Sequence, residues 1–387
     1  MTNIIGWGHN KFGKNDDQST EDMIADVVSE AITHANINPK EIDNIVVGTF
    51  NNGFQKQDFY GALPAINCEV LKHVPSIRVE NACATGSAAI NTAINNIEAK
   101  RSKLNLVVGV EKMTNRSTKD AGDILLGASY RKEEDKIDGG FAGVFAQITD
   151  AYFQKFGDKS KYLAKISAKN HKNGSVNPYA HMQVDLGFDF CNSVSEKNPL
   201  VVSPLKRSDC SMISDGAAAV IIADDDFAEN APRAIKFLSR IQTNDLMPMS
   251  KRDKTEFKGA SISWKKALYE AKITLKDLSF VETHDCFTIA ELIEYEAMGL
   301  TKRGEGFRML EEGIVYKDGK LPINPSGGLK AKGHPVGATG VSQHIMACMQ
   351  LVNEAQDMQV TNANLAGIFN MGGSAVANYV SILERKF

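Results

Sequence analysis

"VENACATGSAAI", residues 79–90, is the stretch on which the reading of the fold turns. A strand-like run, Ser76–Glu80, gives way within it to a helix-like run, Thr85–Ile94, and Cys83 sits at the junction. A thiol there feels the positive end of a helix, which lowers its pKa and favours the nucleophilic thiolate. The glycine and alanines beside it leave room for a substrate to approach the backbone. The alternative is a small buried residue at a strand–helix turn, since free cysteine is among the most buried residue types.

Outward from this junction the pattern alternates between helix and strand. Ser19–Ala35 spaces Met23, Ile24, Val27, Val28, Ala31 and Ile32 along one helical face. "EIDNIVVGT" (41–49) and "LNLVVGV" (104–110) read as strands buried on both faces, because only such strands need unbroken apolar runs. Two passages echo each other. "SDGAAAVIIA" (214–223) and "MGGSAVANYVSIL" (371–383) are both a tight turn with small residues entering an apolar strand. Each follows a glycine- and alanine-rich helix start, "CATGSAAINTAINNI" (83–97) and "GHPVGATGVSQHIMACMQL" (333–351). The chain thus reads as two related α/β halves, 1–245 and 246–387, repeating one plan. Cys83 lies much further from Asp215 than His334 does from Gly372. The surplus falls at about 112–204, a segment rich in Lys, Asn, Gly and Tyr with weak strand signals. It reads as an inserted lobe over one end of the sheets, where open α/β folds bind ligands.

Composition narrows the class. The 387 residues exceed what one core usually supports, and 43% hydrophobic with 24% charged is ordinary for a globular protein. A net charge of −3 gives no electrostatic footprint for nucleic acid. No apolar run is long enough for a membrane span, and neither end carries a secretory or peroxisomal signal, so a cytoplasmic protein is expected. The six cysteines (68, 83, 191, 210, 286, 348) are scattered with no CxxC, which argues against a disulfide framework or a zinc site.

Three further passages carry chemistry. "NPSGGLKAKGHPVGATG" (324–340) crowds glycines, two prolines and His334 into one run. A histidine fixed there, opening a helix, is placed to activate a thiol, or is a structural histidine in a tight turn. "VETHDCFTIAELIEYEAMGL" (281–300) runs from an apolar strand start through His284, Asp285 and Cys286 into an amphipathic helix. "GIFNMGGSAV" (367–376) offers backbone N–H groups suited to an oxyanion, or is a plain hairpin turn.

Together these four passages resemble the thiolases, over essentially the whole chain. The resemblance rests on "ENACATGSAAI", a histidine-bearing strand end, "GHPVGATG" and a late glycine turn, in that order. Most thiolases carry an Asn-Glu-Ala-Phe motif and a C-terminal Cys-x-Gly. Here "HDCF" (His284–Phe287) and Asn370-Met371-Gly372 stand in their places. That pattern is similar to the sterol-carrier-protein type of thiolase, here without an appended sterol-carrier domain.

The resemblance implies a five-layered αβαβα thiolase fold with an inserted loop lobe. Cys83 is implied as the acyl-accepting nucleophile, and His334 as the group that activates it and helps bind the thioester oxygen. His284 is implied as a donor to the enolate oxygen and Cys286 as the mover of the α-proton. The N–H groups of Cys83 and Gly372 are implied as the second oxyanion hole. The reaction implied is Claisen condensation of acetyl-CoA, or thiolysis of 3-ketoacyl-CoA. No tightly bound cofactor and no metal are expected, with coenzyme A as substrate or product.

Acyl-CoA substrates, a homo-oligomer and a possible small partner subunit are expected. The alternatives are a ketoacyl-synthase-like or secondary-metabolite acyltransferase on the same fold, and a non-catalytic thiolase-like subunit. The basic stretch 155–172 is read either as a contact for the nucleotide end of CoA or as a solvated helix face.

Overall fold

The computed structural model describes residues 2–386. Its strands are β1 (Thr2–His9), β2 (Asn44–Gly48), β3 (Ser76–Val79), β4 (Leu104–Glu111), β5 (Leu200–Val202), β6 (Leu205–Lys206), β7 (Gly216–Asp224), β8 (Ile235–Asn244), β9 (Phe280–Glu282), β10 (Leu365–Gly372) and β11 (Ala377–Arg385). Its principal helices are α1 (Thr20–Ala35), α2 (Thr85–Glu98), α3 (Gly140–Phe156), α4 (Ser160–Gly174), α5 (Lys258–Ala271), α6 (Thr288–Ala297) and α7 (Thr339–Leu351).

Nine strands form one mixed sheet in the order β3-β2-β4-β7-β1-β8-β11-β10-β9. The order repeats about its centre. In the first half β2 runs parallel to β4, and β4, β7 and β1 alternate antiparallel. In the second half β9 runs parallel to β10, and β10, β11 and β8 alternate antiparallel. The two echoing passages therefore occupy equivalent places, β7 and the β10–β11 turn with β11. The seam between halves is thin: among the described residues β1 and β8 pair through Asn3↔Lys236 and Ile4↔Ile235. Strand β8, which the expected division at 245 gives to the first half, pairs along its length with β11 of the second.

Burial explains the layers. Strand β4 sends Leu104, Leu106, Val108 and Val110 to one face, where they meet Met23, Ile24, Val27, Val28 and Ala31 of α1. Its Val107 points to the other face, into a core shared with Ala89, Ile90 and Ile94 of α2 and Val341, Ile345 and Met349 of α7. That core also takes Ile235, Phe237, Ala366 and Ile368 from the second half's strands, so α2 and α7 form a central layer between the halves. On the far side α5 and α6 cover the second half. The result is the expected αβαβα order.

Helix α1 starts where its sequence says. Ser19 and Asp22 cap each other reciprocally, and Asn36 ends the helix in a left-handed conformation. The central helices meet at glycines. A Cβ on Gly86 would lie 2.6 Å from the Val341 nitrogen, and one on Gly340 would lie 2.3 Å from the Ser87 nitrogen. Gly86 and Gly340 thus let the two central helices approach closely.

The segment between β4 and β7 is more regular than its composition implied. It holds α3, α4 and the β5–β6 hairpin, with α3 and α4 packed on α6. Nor is its basic stretch a solvated face throughout. Lys169 is buried and pairs with Glu291 at 2.9 Å, because α4 turns that side toward the 281–297 segment.

Candidate active site

Cys83 occupies a tight turn between β3 and α2. Ala82 takes a left-handed conformation (φ 49°), which swings the chain so that Cys83 precedes the helix. The turn is tied by Thr85, whose Oγ1 accepts from the Asn81 N–H at 2.8 Å and donates to the Ala82 carbonyl at 2.6 Å. Cys83 is buried, and burial decides its charge. The thiol is pushed up to about 12 by desolvation, against the pull of the Gly373 and Cys83 N–H groups, with Glu111 and Glu80 adding to the rise. The expected thiolate at a helix start is therefore corrected. At rest Cys83 is a neutral thiol, because loss of solvent outweighs half a unit of helix charge. The amide set against its sulfur in this late turn is that of Gly373. The Gly372 carbonyl accepts from Val376 at 3.0 Å.

Two histidines converge on the sulfur. The ligand atoms of Cys83, His284 and His334 all lie within 4.8 Å of one another, and the two rings meet edge to face with centroids 5.2 Å apart. Their partners assign different tautomers. His334 Nδ1 lies 2.6 Å from Thr339 Oγ1, which itself donates to the Pro335 carbonyl at 2.9 Å. With the hydroxyl proton so used, His334 donates through Nδ1–H, and Nε2 keeps a lone pair. His284 Nδ1 faces the Asn370 amide nitrogen at 2.9 Å, and that nitrogen also donates to the Cys83 carbonyl at 3.1 Å. His284 thus accepts at Nδ1 and carries its proton on Nε2. Both Nε2 atoms are buried with no protein partner. Burial holds both rings neutral: His334 falls to about 3, helped by Lys332, and His284 falls well below its ordinary value, helped by His334. One histidine is a proton acceptor and the other a hydrogen-bond donor, and both face one thiol.

Cys286 joins them. Its thiol is pushed up by burial first and by Cys83 next, which places it within electrostatic reach of the nucleophile. The backbone around it is held tightly. The Cys286 carbonyl accepts from the Ser211 N–H at 2.9 Å, and the Phe287 ring stacks on Phe145 of α3 at 4.3 Å. Asp285, between the two reactive side chains, accepts from the Leu329 and Lys330 N–H groups at 2.6 and 3.2 Å and from Asn170 at 2.6 Å. It thereby couples the HDCF turn to the loop that carries His334. Cys83, the neighbouring His284 and Cys286, and His334, from three separate stretches of sequence, are thus brought into one buried centre beside the 372–373 turn.

Sequence reasoning missed three contributors. Asn370 was noted only as the residue standing where a cysteine is usual, yet it fixes the His284 tautomer. Thr339 was read as part of a glycine-rich helix start, yet it fixes that of His334. Glu111 ended an apolar strand and drew no attention. Its carboxylate takes N–H groups of Phe50 (2.9 Å), Asn51 (3.0 Å) and Gly337 (3.0 Å) and the Thr49 hydroxyl (3.1 Å). It ties β2 and β4 to the His334 loop. The one available signal was a lone acid closing a buried strand whose other residues, Asn105 apart, are apolar or glycine.

One cysteine and two histidines are donor types that zinc accepts. His284, however, carries its proton on Nε2 and offers no lone pair there, so the trio in this protonation state is a donor–acceptor pair around a thiol and not a metal-ligand set.

Comparison with known proteins fits this arrangement. The family described as "Thiolase, N-terminal domain" matches residues 2–185, and "Thiolase C-terminal domain-like" matches residues 242–385. The chain is 34% identical over 386 residues to acetyl-CoA acetyltransferase of Methanothermobacter thermautotrophicus, covering 99% of each. It is 31% identical over 398 residues to sterol carrier protein 2 of Homo sapiens, covering 96% of this chain and 70% of that one. Among solved structures it is similar in fold to the "Ltp2-ChsH2(DUF35) aldolase", with a TM-score of 0.83 at 18% identity over 99% of this chain and 97% of that one.

Proposed function

This chain is a member of the thiolase family and an acyltransferase, and from that premise we propose that it moves acyl groups between CoA thioesters through an acyl-enzyme on Cys83. The observation that carries the assignment is the convergence on one thiol of a proton-accepting His334 and a proton-donating His284. His334 Nε2 takes the Cys83 proton as the sulfur attacks the thioester carbonyl, and as an imidazolium it then donates to the oxygen that becomes negative. Collapse expels CoA thiolate, which recovers that proton, and leaves acetyl-Cys83.

Once CoA has left, neutral His334 Nε2 takes the proton of the Cys286 thiol. The Cys286 thiolate so formed removes the α-proton of a second acetyl-CoA while His284 Nε2–H holds the enolate oxygen; Cys83, when it is released, recovers the proton from His334. The enolate carbon attacks acetyl-Cys83, whose second oxyanion is met by the N–H groups of Cys83 and of the 372–373 turn. Release of Cys83 gives acetoacetyl-CoA, and thiolysis runs the same steps backwards. Two cysteines are needed because Cys83 is acylated when the α-proton must move. That requirement favours thiolase chemistry over a ketoacyl-synthase-like reaction, which the pairing of two histidines would otherwise suit.

A short acyl group fits the site best. Phe50, Phe54, Met113 and Val336 belong to one apolar cluster with Cys83. We read this closure as selecting acetyl and acetoacetyl thioesters. Replacing Met113 by Ala is expected to raise kcat/KM for butyryl-CoA relative to acetyl-CoA, since one or two methylenes in an apolar pocket are worth about 1–3 kcal/mol. An unchanged ratio would assign chain length to other residues.

The neighbouring "Ltp2-ChsH2(DUF35) aldolase" motivates a further element, a small partner subunit bound to a homo-oligomer of this chain. No described helix is long and apolar enough to cross a membrane. A cytoplasmic location remains part of the reading. The test of the function is to incubate the protein with acetyl-CoA alone and map the acetyl group by peptide mass. Acetylation confined to the peptide bearing Cys83 is expected, and acetylation elsewhere or none would overturn the assignment.

A further inference from the structure

Glu294 of α6 is wholly buried, carries a titratable group, and has no part in the mechanism above. Its Oε2 accepts from the Thr283 hydroxyl at 2.5 Å and from the His284 backbone N–H at 3.1 Å. Its Oε1 is buried with no partner at all. Burial, with the carboxyls of Glu291 and Asp285 nearby, holds the group protonated well above the ordinary carboxylate range. Since Oε2 is engaged as an acceptor, the proton belongs on Oε1. A buried O–H donor therefore stands without an acceptor, on a carboxyl whose other oxygen holds the His284 peptide, two residues along the same turn from Cys286. A resting protein rarely leaves such a donor unpaired, and unpaired groups of this kind gather where charge appears later.

We propose that Glu294 is a positioning residue for the α-proton step: its Oε2 pins the peptide from which His284 and Cys286 project, and its Oε1–H hydrogen-bonds the Cys286 thiolate as that thiolate forms. The proposal rests on the assignment of α-proton transfer to Cys286. No covalent bond changes at Glu294, and its proton stays on the carboxyl while the donor steadies the negative sulfur. The acid must be neutral for this, because a carboxylate there would repel both the Cys286 thiolate and the enolate held by His284. Thr283 supports the arrangement, since its hydroxyl fills Oε2 and leaves Oε1 to carry the proton.

The test separates the two halves of the reaction. Acetylation of Cys83 by acetyl-CoA is followed by the burst of released CoA, and α-proton transfer by kcat for thiolysis of acetoacetyl-CoA. Glu294→Leu is expected to lower kcat at least tenfold while the acylation burst stays within about threefold of wild type. Glu294→Gln keeps an acceptor and an N–H donor in the same places and is expected to restore most of kcat. Thr283→Val, a milder change that leaves the carboxyl in place, is expected to lower kcat severalfold without altering the burst. If Glu294→Leu does not fold, the Gln and Val variants decide the matter. A kcat unchanged in Glu294→Leu or Thr283→Val, or a burst that falls in step with kcat, would overturn the proposal. Cys286→Ala, run alongside, keeps the two claims apart. If it retains thiolysis, the role of Cys286 fails. If it loses thiolysis while the Glu294 and Thr283 variants keep it, only the role of Glu294 fails.

Discussion

At the residue scale the central fact is that burial, not the helix start, sets the state of Cys83. A thiol pushed up to about 12 is protonated at neutral pH, so the free enzyme should react with iodoacetamide at a rate that rises about tenfold per pH unit across pH 7–10. A plateau near pH 7 or 8 would instead mean a preformed thiolate. Asn370 gives a second prediction. Without its amide nitrogen at 2.9 Å, nothing holds His284 in the tautomer that presents Nε2–H. Asn370→Ala should lower kcat for thiolysis by about 10²-fold, the usual cost of one oxyanion donor, while Cys83 acylation changes much less. Equal losses in both steps would contradict that role. The four reactive side chains were legible in the sequence because cysteine and histidine declare their chemistry by type. The residues that orient them were not. Asn370 acts through hydrogen bonds between segments remote in sequence, Thr339 through one to a histidine five residues away, and no local spacing reports a contact between residues 83 and 370 or fixes which nitrogen of a histidine is protonated.

At the element scale the site depends on ties between strand ends and the 324–340 loop. Glu111 is the clearest of these, with three N–H groups and a hydroxyl on one buried carboxylate. Glu111→Gln loses an acceptor for at least one N–H group and should destabilise the fold by about 1–3 kcal/mol, with His334 displaced and acylation slowed. Burial raises the Glu111 carboxyl to about 7. The folded state therefore keeps this proton to higher pH than the unfolded chain does. Its contribution to stability is present at pH 4 and is lost as pH rises toward 7. Urea midpoints at pH 5 and pH 8 check this: the fall in stability between them should be smaller in Glu111→Gln than in wild type, and an equal fall would contradict it. Elements themselves were read well from pattern where one face repeats, as in α1, β4 and α2. The inserted segment was read poorly. Its helices α3 and α4 bury polar side chains such as Lys169, Asn170 and His171, so the apolar stripe that marks a helix in sequence is broken.

At the scale of the whole molecule the two halves share one interior. Among the described residues the β1–β8 seam has two residue pairs, but α2 and α7 are packed between the strands of both halves. We propose that the repeats divide between β7 and β8 rather than at 245, and that neither is stable alone. Thermal unfolding should show one cooperative transition, and residues 1–234 expressed alone should not fold. Two separate transitions would contradict the shared core. The repeat itself was visible in sequence, because the turn-and-strand echo survives where both copies keep small residues. The seam was not, since hydrogen bonding between β1 and β8 leaves no mark in either strand's composition. The central claim, a two-cysteine acyl transfer, is tested most directly by following acetoacetyl-CoA consumption with free CoA in wild type, Cys83→Ala and Cys286→Ala. The account predicts turnover in wild type and loss in both variants, with Cys83 in Cys286→Ala still accepting an acetyl group from acetyl-CoA. Turnover that survives in either variant would contradict it.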